Sequence, residues 1–283
     1  MVTNNNNKLE YTMKKAIASI VAAAALGSVS LFGQAQQNPI SDLSISAAFD
    51  FETSYVFRGK QLAQQSFQPS IEFGYPVFGA TVYAGVWTNQ PIKNQDNEID
   101  FYGGVSYPFT DWLTGDVGFT YYWYPQSVPG GEISQTREIY VGLSADTTQF
   151  FGFDLQPATY FFYDFDLEQT VIEFSLGYSF DVGSYVGVGG LSLDVGAYYG
   201  YLSSSAYNGS QRDGAPKWKN GYGYVGAVAD VVYAFNDFVT FSMGVRWAAN
   251  NDGKNNRGLF GADPNEGGSD NTVWFGTAVG IGF

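Results

Sequence analysis

The chain has 283 residues, a formal net charge of −14, and neither cysteine nor histidine. Without these residue types, disulfides, thiolate catalysis, a Ser-His-Asp triad and histidine-ligated zinc are all excluded. The acidic balance argues against nucleic acid as a partner, because nucleic acid requires a basic surface. The sequence therefore predicts a protein that is not an enzyme and that needs no cofactor or metal.

The amino terminus is predicted to be an export signal. Two lysines precede an apolar run, which is followed by small residues at the spacing of a cleavage site. We expect residues 1–35 to be removed as a signal peptide, and we interpret residues 1–12 as a start-site artefact. Residues 36–283 are then predicted to form a single domain.

The rest of the chain has the composition of a membrane barrel. Aromatic residues make up 18 % of the sequence and glycine occurs 35 times, whereas only 14 % of the residues are charged. Yet no stretch after the signal holds the roughly 18 consecutive apolar residues that a membrane helix needs. Transmembrane β-barrels instead distribute their apolar residues one at a time along each strand.

Segments of alternating polarity, separated by turn residues, recur to the end of the chain. They predict an all-β fold, a transmembrane antiparallel up-and-down β-barrel of about 12 strands. Short connections alternate with longer, more polar ones, as in outer-membrane barrels. The predicted strands are 43–57, 66–75, 79–89, 97–107, 112–124, 136–145, 149–163, 168–181, 190–201, 221–235, 238–249 and 272–283.

The last predicted strand ends the chain on an aromatic residue, Phe283. Val273 and Phe275 lie on one face of this strand, and Trp274 and Gly276 lie on the other. The segment resembles the closing strand of bacterial outer-membrane barrels. That resemblance implies that Phe283 is the signal read by the barrel-assembly machinery.

Alternation assigns the charged side chains to the inside of the barrel, because a lysine or arginine facing lipid costs roughly 2–4 kcal/mol. Two bases, Arg58 and Arg246, are predicted to point inward. Aromatic residues near strand ends, such as Tyr55, Trp87 and Trp247, are expected to form interfacial girdles. The acids predicted to point inward are Asp50, Glu52, Glu72, Asp100, Asp116, Glu138, Asp154, Glu173, Asp194 and Asp230.

An acidic lumen of this kind predicts a narrow, water-filled pore that prefers cations. Inward tyrosines such as Tyr102, Tyr122 and Tyr140 leave two interpretations open, since they either line a path for a solute or fill the lumen. The residues predicted to set charge selectivity are Glu52, Glu72, Asp100, Asp116, Glu138 and Arg246.

Two predicted loops carry charged clusters. Asp252 and Glu266 lie in a glycine-rich loop whose oxygen ligands suggest calcium, but the spacing of a calcium loop is absent and a solvated loop is favoured. Arg212 and Lys217 suggest contact with lipopolysaccharide phosphates, and here too an ordinary soluble loop is favoured.

Part of the chain, from about residue 48 to 107, resembles the TorF family of porins. The segments that carry the resemblance are, in chain order, 53–59 (TSYVFRG), 68–69 (QP), 79–89 (GATVYAGVWTN) and 97–104 (NEIDFYGG). Ser54 stands where that family usually has an aspartate. The resemblance implies an outer-membrane barrel with a pore function, without a named solute.

Arg58 is predicted to lie at the outer rim of the barrel, where it pairs with carboxylates such as Glu72 or Glu98. Gly59 permits a tight turn beside it. A structural role at the rim is favoured over a role in selectivity.

The sequence thus predicts an outer-membrane porin for passive diffusion of small hydrophilic solutes, with outer-membrane lipids and the assembly machinery as partners. The main alternative is a non-conducting barrel that acts through its outer loops as an adhesin or envelope anchor. An outer-membrane hydrolase would need a carboxylate-based or Ser-Lys centre, and no candidate cluster is present.

Overall fold

A computed structural model describes residues 43–93, 96–126, 134–204, 221–251 and 271–283. The predicted signal peptide 1–35 and both charged loop clusters lie outside these residues. Within the described ranges, no helix is long and apolar enough to cross a membrane.

Twelve of the described strands close into one antiparallel barrel, which confirms the predicted fold class. Neighbours along the chain are neighbours in the barrel, and the first strand pairs with the last. The barrel strands are β1 (Ser44–Glu52), β4 (Ser66–Val77), β5 (Ala80–Pro91), β6 (Glu98–Pro108), β7 (Leu113–Trp123), β8 (Gln135–Ala145), β9 (Ala158–Asp164), β10 (Gln169–Phe180), β11 (Leu191–Ser204), β12 (Gly221–Ala234), β13 (Val239–Asn250) and β14 (Asn271–Gly282).

The barrel is apolar outside and polar inside. In β14, Val273 and Phe275 are 61 % and 63 % exposed on the exterior face, whereas Trp274 and Ala278 are buried on the lumen face. Strands β4, β7, β8 and β10 show the same alternation. Since large apolar side chains cover the exterior, this surface suits contact with lipid rather than water.

The connections differ between the two ends of the barrel. At one end, called the turn end, lie both barrel termini and the links 78–79, 109–112, 146–157, 181–190 and 235–238. Two of these links contain a helical turn, α1 (Thr148–Phe151) and α2 (Gly183–Val186). The opposite end, called the loop end, carries the remaining links.

Residues 149–157 do not form the predicted strand. The Asp154 carboxylate accepts hydrogen bonds from the backbone N–H groups of Thr147 and Gln156, at 3.0 and 2.9 Å. Such local side-chain bonds to the backbone compete with strand pairing, and the strand begins only at Ala158. The predicted inward position of Asp154 is therefore wrong, because this residue lies in the link at the turn end.

The predicted first strand is also too long, because β1 ends at Glu52. Glu52 lies directly opposite Ser66 of β4, so residues 53–65 are outside the barrel ladder. They contain a separate two-stranded sheet, β2 (Tyr55–Phe57) and β3 (Lys60–Ala63). We call residues 53–65 the inward hairpin, because its side chains contact the lumen wall.

Arg58 and Gly59 form the two-residue turn of the inward hairpin. Their φ angles are +48° and +76°, and the flanking residues Phe57 and Lys60 pair with each other. Positive φ at both central residues matches the turn whose twist suits a tight hairpin. This geometry places the Arg58 side chain at the hairpin tip.

Candidate pore lumen

The lumen is strongly acidic among the described residues. Eleven acidic side chains are buried there, against three basic ones, Arg58, Lys60 and Arg246. All six residues predicted to set charge selectivity are among them, each no more than 7 % exposed. The buried acids are Asp50, Glu52, Glu72, Glu98, Asp100, Asp116, Glu138, Asp164, Glu173, Asp194 and Asp230.

Arg246 binds two of these acids. Its Nε lies 3.2 Å from Glu52 Oε1, and its Nη1 donates to Asp230 Oδ1 at 2.8 Å. Asp194 lies directly opposite Asp230 on the neighbouring strand. One guanidinium therefore offsets the negative charge of neighbouring acids that would otherwise repel one another across the strands.

Arg58 crosses the lumen to Glu138. Its Nη2 donates to both carboxylate oxygens of Glu138 at 2.8 Å, and its Nη1 donates to Gln169 Oε1 at 3.3 Å. The Tyr122 hydroxyl donates to the same carboxylate at 2.9 Å. The prediction that Arg58 pairs with Glu72 or Glu98 is thus wrong. The hairpin turns inward and places the guanidinium against the opposite wall.

The backbone of the hairpin tip is bound as well. The Tyr222 hydroxyl donates to the Arg58 carbonyl at 3.1 Å, and Asn250 Nδ2 donates to the Gly59 carbonyl at 2.7 Å. The Lys60 ammonium lies 4.1 Å from the centre of the Tyr222 ring, within the range of a cation–π contact. Polar groups of the wall therefore satisfy the turn on two sides.

Asp116 is the centre of a tyrosine cluster. Tyr83 donates to one of its oxygens at 2.8 Å and Tyr160 donates to the other at 3.2 Å. The Tyr83 and Tyr140 hydroxyls are 2.7 Å apart. Because these phenols satisfy the carboxylate, Asp116 is part of a hydrogen-bonded wall rather than an isolated charge.

The other predicted selectivity residues are less crowded by partners. The Tyr102 hydroxyl hydrogen bonds with Glu72. Asp100 lies between Trp87 and Tyr122 on the adjacent strands. Its Oδ1 is buried and has no hydrogen-bond partner within the described ranges, a condition that it shares with Oδ1 of Asp194.

Phe283 closes the barrel at the turn end. Its backbone exchanges two hydrogen bonds with Ile45 of β1, at 2.8 and 3.1 Å. Its ring stacks on Phe238 at a centroid distance of 5.8 Å. The Phe283 side chain is 55 % exposed on the exterior. This exposure is compatible with its predicted role as the signal that the assembly machinery recognises.

The lumen tyrosines lie against glycines of the neighbouring strands. In each case the tyrosine covers a glycine directly opposite in the register, and a Cβ on that glycine would lie within 2.5 Å of a ring or hydroxyl atom. The glycines supply the space that lets each ring lie flat on the wall. The pairs are Tyr83–Gly104, Tyr102–Gly85, Tyr140–Gly118, Tyr160–Gly142, Tyr198–Gly226 and Tyr224–Gly200.

Gly142→Ala is expected to destabilise the barrel by about 1–3 kcal/mol, because the new methyl would lie 2.2 Å from the Tyr160 ring. Tyr160→Leu should restore much of that loss in the double variant, which a double-mutant cycle measures. Gly177→Ala is the matched control, since its nearest neighbour is a Gln156 side-chain oxygen at 3.2 Å. Equal urea midpoints for Gly142→Ala and Gly177→Ala would contradict the packing role.

Sequence reasoning missed several lumen residues. Trp87 and Tyr55 are 6 % and 2 % exposed, and their rings contact each other inside the barrel at a centroid distance of 5.4 Å, so their predicted place in the girdles is wrong. Trp87 lies an even number of residues from Tyr83 and Asn89, so all three side chains are on the same face of β5. This spacing indicates an inward position for Trp87. Lys60 was also missed, since its position depends on the hairpin.

No group of three or more potential metal ligands has suitable geometry in the part of the chain that the structure describes. The lumen carboxylates instead bind arginines and tyrosines. A closed antiparallel barrel with an apolar exterior and a charged lumen defines the class as a porin-like β-barrel.

Sequence comparison gives a family match without a function. A family described as "Bacterial protein of unknown function (Gcw_chp)" matches residues 36–175, just under half of the chain. A search of curated proteins gives no match. Neither comparison confirms the TorF family, whose resemblance stays a prediction.

Solved structures with a similar fold include outer-membrane channels and LpxR from Salmonella typhimurium. An outer-membrane channel from Pseudomonas putida F1 aligns with a TM-score of 0.50 at 7 % identity, covering 89 % of this chain and 98 % of that one. The KdgM porin aligns with a TM-score of 0.47 at 11 % identity, covering 85 % and 99 %. The NanC porin aligns with a TM-score of 0.45 at 12 % identity, covering 85 % and 98 %. At these identities the likeness is one of fold.

Proposed function

We propose that the protein is an outer-membrane porin that lets small hydrophilic solutes diffuse through an acidic lumen, with a preference for cations. The observation that carries the proposal is the excess of buried acids over bases in the lumen, eleven against three among the described residues. Low-dielectric walls lined by one sign of charge raise the local concentration of counter-ions. The barrel has twelve strands, between the filled eight-stranded barrels and the open porins, so a narrow passage is expected.

The exterior supports a location in the outer membrane. Large apolar side chains such as Phe49, Val117 and Phe275 are more than half exposed around the barrel. Lipid is the expected partner of this surface. Export by the predicted signal peptide and recognition of Phe283 by the assembly machinery complete the proposal.

The first test is single-channel conductance of the purified protein in a planar bilayer under a salt gradient. We expect discrete steps and a reversal potential that indicates cation preference. The triple variant Glu72→Gln, Asp100→Asn, Asp116→Asn should reduce that preference several-fold, because it removes three lumen charges with little change in shape. Asp111→Asn, Asp181→Asn, Asp237→Asn is the control, since these exposed acids lie at the turn end. An unchanged reversal potential in the lumen variant would contradict cation selection by these residues.

A second candidate is a non-conducting barrel that acts as an adhesin or envelope anchor. The observation that favours it is the inward hairpin, whose Tyr55, Val56 and Arg58 are buried inside the barrel. A folded protein that gives no conductance steps, yet binds a surface partner through its loops, would support this function instead.

A further inference from the structure

We infer, on the basis of the porin function proposed above, that the inward hairpin is the constriction of the pore and sets the size of solute that passes. The hairpin leaves the wall between β1 and β4. Its contacts with the rest of the barrel decide whether it follows the wall or crosses the lumen.

The contacts show that the hairpin crosses the lumen. Near its base, the Tyr55 ring contacts the Trp87 ring of β5 in a tilted arrangement, with a centroid distance of 5.4 Å. At its tip, Arg58 binds Glu138 of β8 and Gln169 of β10. In the closed strand order these two strands flank β9, which is six strands away from β1 in either direction. The tip therefore touches the wall opposite its own attachment.

Contacts on a second side narrow the space further. Tyr222 of β12 and Asn250 of β13 bind the backbone carbonyls of the tip. On the other side, the Phe57 ring lies 6.3 Å from the Tyr122 ring of β7. A pocket remains beside the tip, lined by Phe57, Arg58, Lys60, Leu62, Gln169, Leu202 and Tyr222. Solutes must pass the hairpin through gaps of this kind.

The backbone conformation and the contacts of the hairpin tip hold it in one position against the wall. Arg58 adopts a left-handed conformation that is unfavourable for a residue with a Cβ, and its ion pair with Glu138 offsets this cost. Gly59 leaves no room for a side chain, because an added Cβ would lie 2.5 Å from Tyr224 Cβ. The hairpin thus contacts the wall closely enough to stay in the lumen during conduction.

The decisive variant removes the hairpin and keeps every residue pair of β1 and β4, with the new turn replacing Thr53 and Gln65, whose backbones bond to Phe275 and Ile92. Glu52 and Ser66 lie directly opposite each other, so residues 53–65 can be replaced by Asn-Gly, which forms a two-residue turn between paired strands. Single-channel conductance and the uptake of neutral sugars of increasing size into liposomes are then compared with the original protein. We expect a several-fold rise in conductance and a larger size limit.

Each outcome separates this inference from the proposed porin function. If both proteins conduct equally, the hairpin is not the constriction and the porin function stands. If only the shortened protein conducts, the hairpin closes the lumen and free diffusion through the original protein is overturned. If neither folded protein conducts, both proposals are overturned.

A point variant covers the case in which the shortened protein fails to fold. Gly59→Ala should displace the tip from the wall and raise conductance, because the methyl collides with Tyr224. Gly79→Ala is the matched control, since Gly79 has a φ of +83° in a turn but its nearest neighbouring atom would be 3.9 Å away. Equal conductance of a folded Gly59→Ala protein and the Gly79→Ala protein would overturn the assignment of the tip.

Discussion

Arg246→Met is expected to lower the free energy of unfolding by about 3–5 kcal/mol, because it would leave Glu52 and Asp230 buried without their shared cation. The three side chains are at most 4 % exposed, and the ion-pair distances are 3.2 and 2.8 Å. Urea unfolding in lipid vesicles, followed by tryptophan fluorescence, measures the loss. An unchanged midpoint would mean that water or protonation already compensates these acids.

The control for this prediction is Arg137→Met. Arg137 pairs with Asp166 at 2.7 Å, but the pair lies at the loop end with side chains 52 % and 26 % exposed. The guanidinium lowers the pKa of Asp166 through a hydrogen bond, yet exposed pairs contribute little to stability. We therefore expect little change in the midpoint. Adding Glu52→Gln and Asp230→Asn to Arg246→Met should restore most of the lost stability, since neither former partner of Arg246 would then carry an uncompensated charge.

The wall of the barrel could be predicted because it follows from period two alone. Once one face of each strand must meet lipid, residues such as Asp116, Glu138 and Asp230 have only the lumen left. Strand ends were predicted to within a few residues for the same reason, since apolar alternation stops where the chain leaves the membrane. Two segments departed. The one before Ala158 did so because Thr147 and Asp154 bond locally to the backbone.

The inward hairpin could not be predicted in the same way. The alternation of β1 continues through Tyr55 and Phe57, so period two extends the strand past Glu52. What ends β1 is a long-range condition, the pairing of Glu52 with Ser66. A two-residue turn at Arg58 and Gly59 was readable from the sequence, but its direction depends on partners such as Glu138, 80 residues further along the chain.

The two interpretations of the inward tyrosines also depended on geometry. A tyrosine fills a lumen if its ring points to the centre, and it lines the wall if its ring lies flat. The opposed glycines, such as Gly118 beneath Tyr140, place the rings flat. The tyrosines therefore form part of the lumen wall, and their hydroxyls hold carboxylates such as Asp116 and Glu173 in place.

Glu138→Gln is expected to release the hairpin tip while the barrel stays folded. It leaves Arg58 without its countercharge at a buried position, a change that typically costs about 3–5 kcal/mol, whereas the twelve-strand ladder keeps its backbone hydrogen bonds. Arg58 and Lys60 are 9 % and 8 % exposed in the original protein, so trypsin should not cut there. In the variant we expect cleavage after one or both, with fragments that mass spectrometry assigns to residues 58 and 60.

Two controls show whether cleavage after Arg58 and Lys60 results from release of the hairpin tip alone. An unfolded substrate protein added to both digests calibrates the protease, because the exposed Lys93 donates to Gln64 Oε1 of the inward hairpin at 2.6 Å and is not independent of it. Asp194→Asn removes a buried lumen carboxylate near the turn end, opposite Asp230 and away from the contacts of Arg58, and it should leave residues 58 and 60 protected. Protection of both sites in Glu138→Gln would mean that Tyr222 and Asn250 hold the hairpin without the ion pair. In that case the carbonyls of Arg58 and Gly59, rather than the guanidinium, are the contacts that keep the hairpin across the lumen.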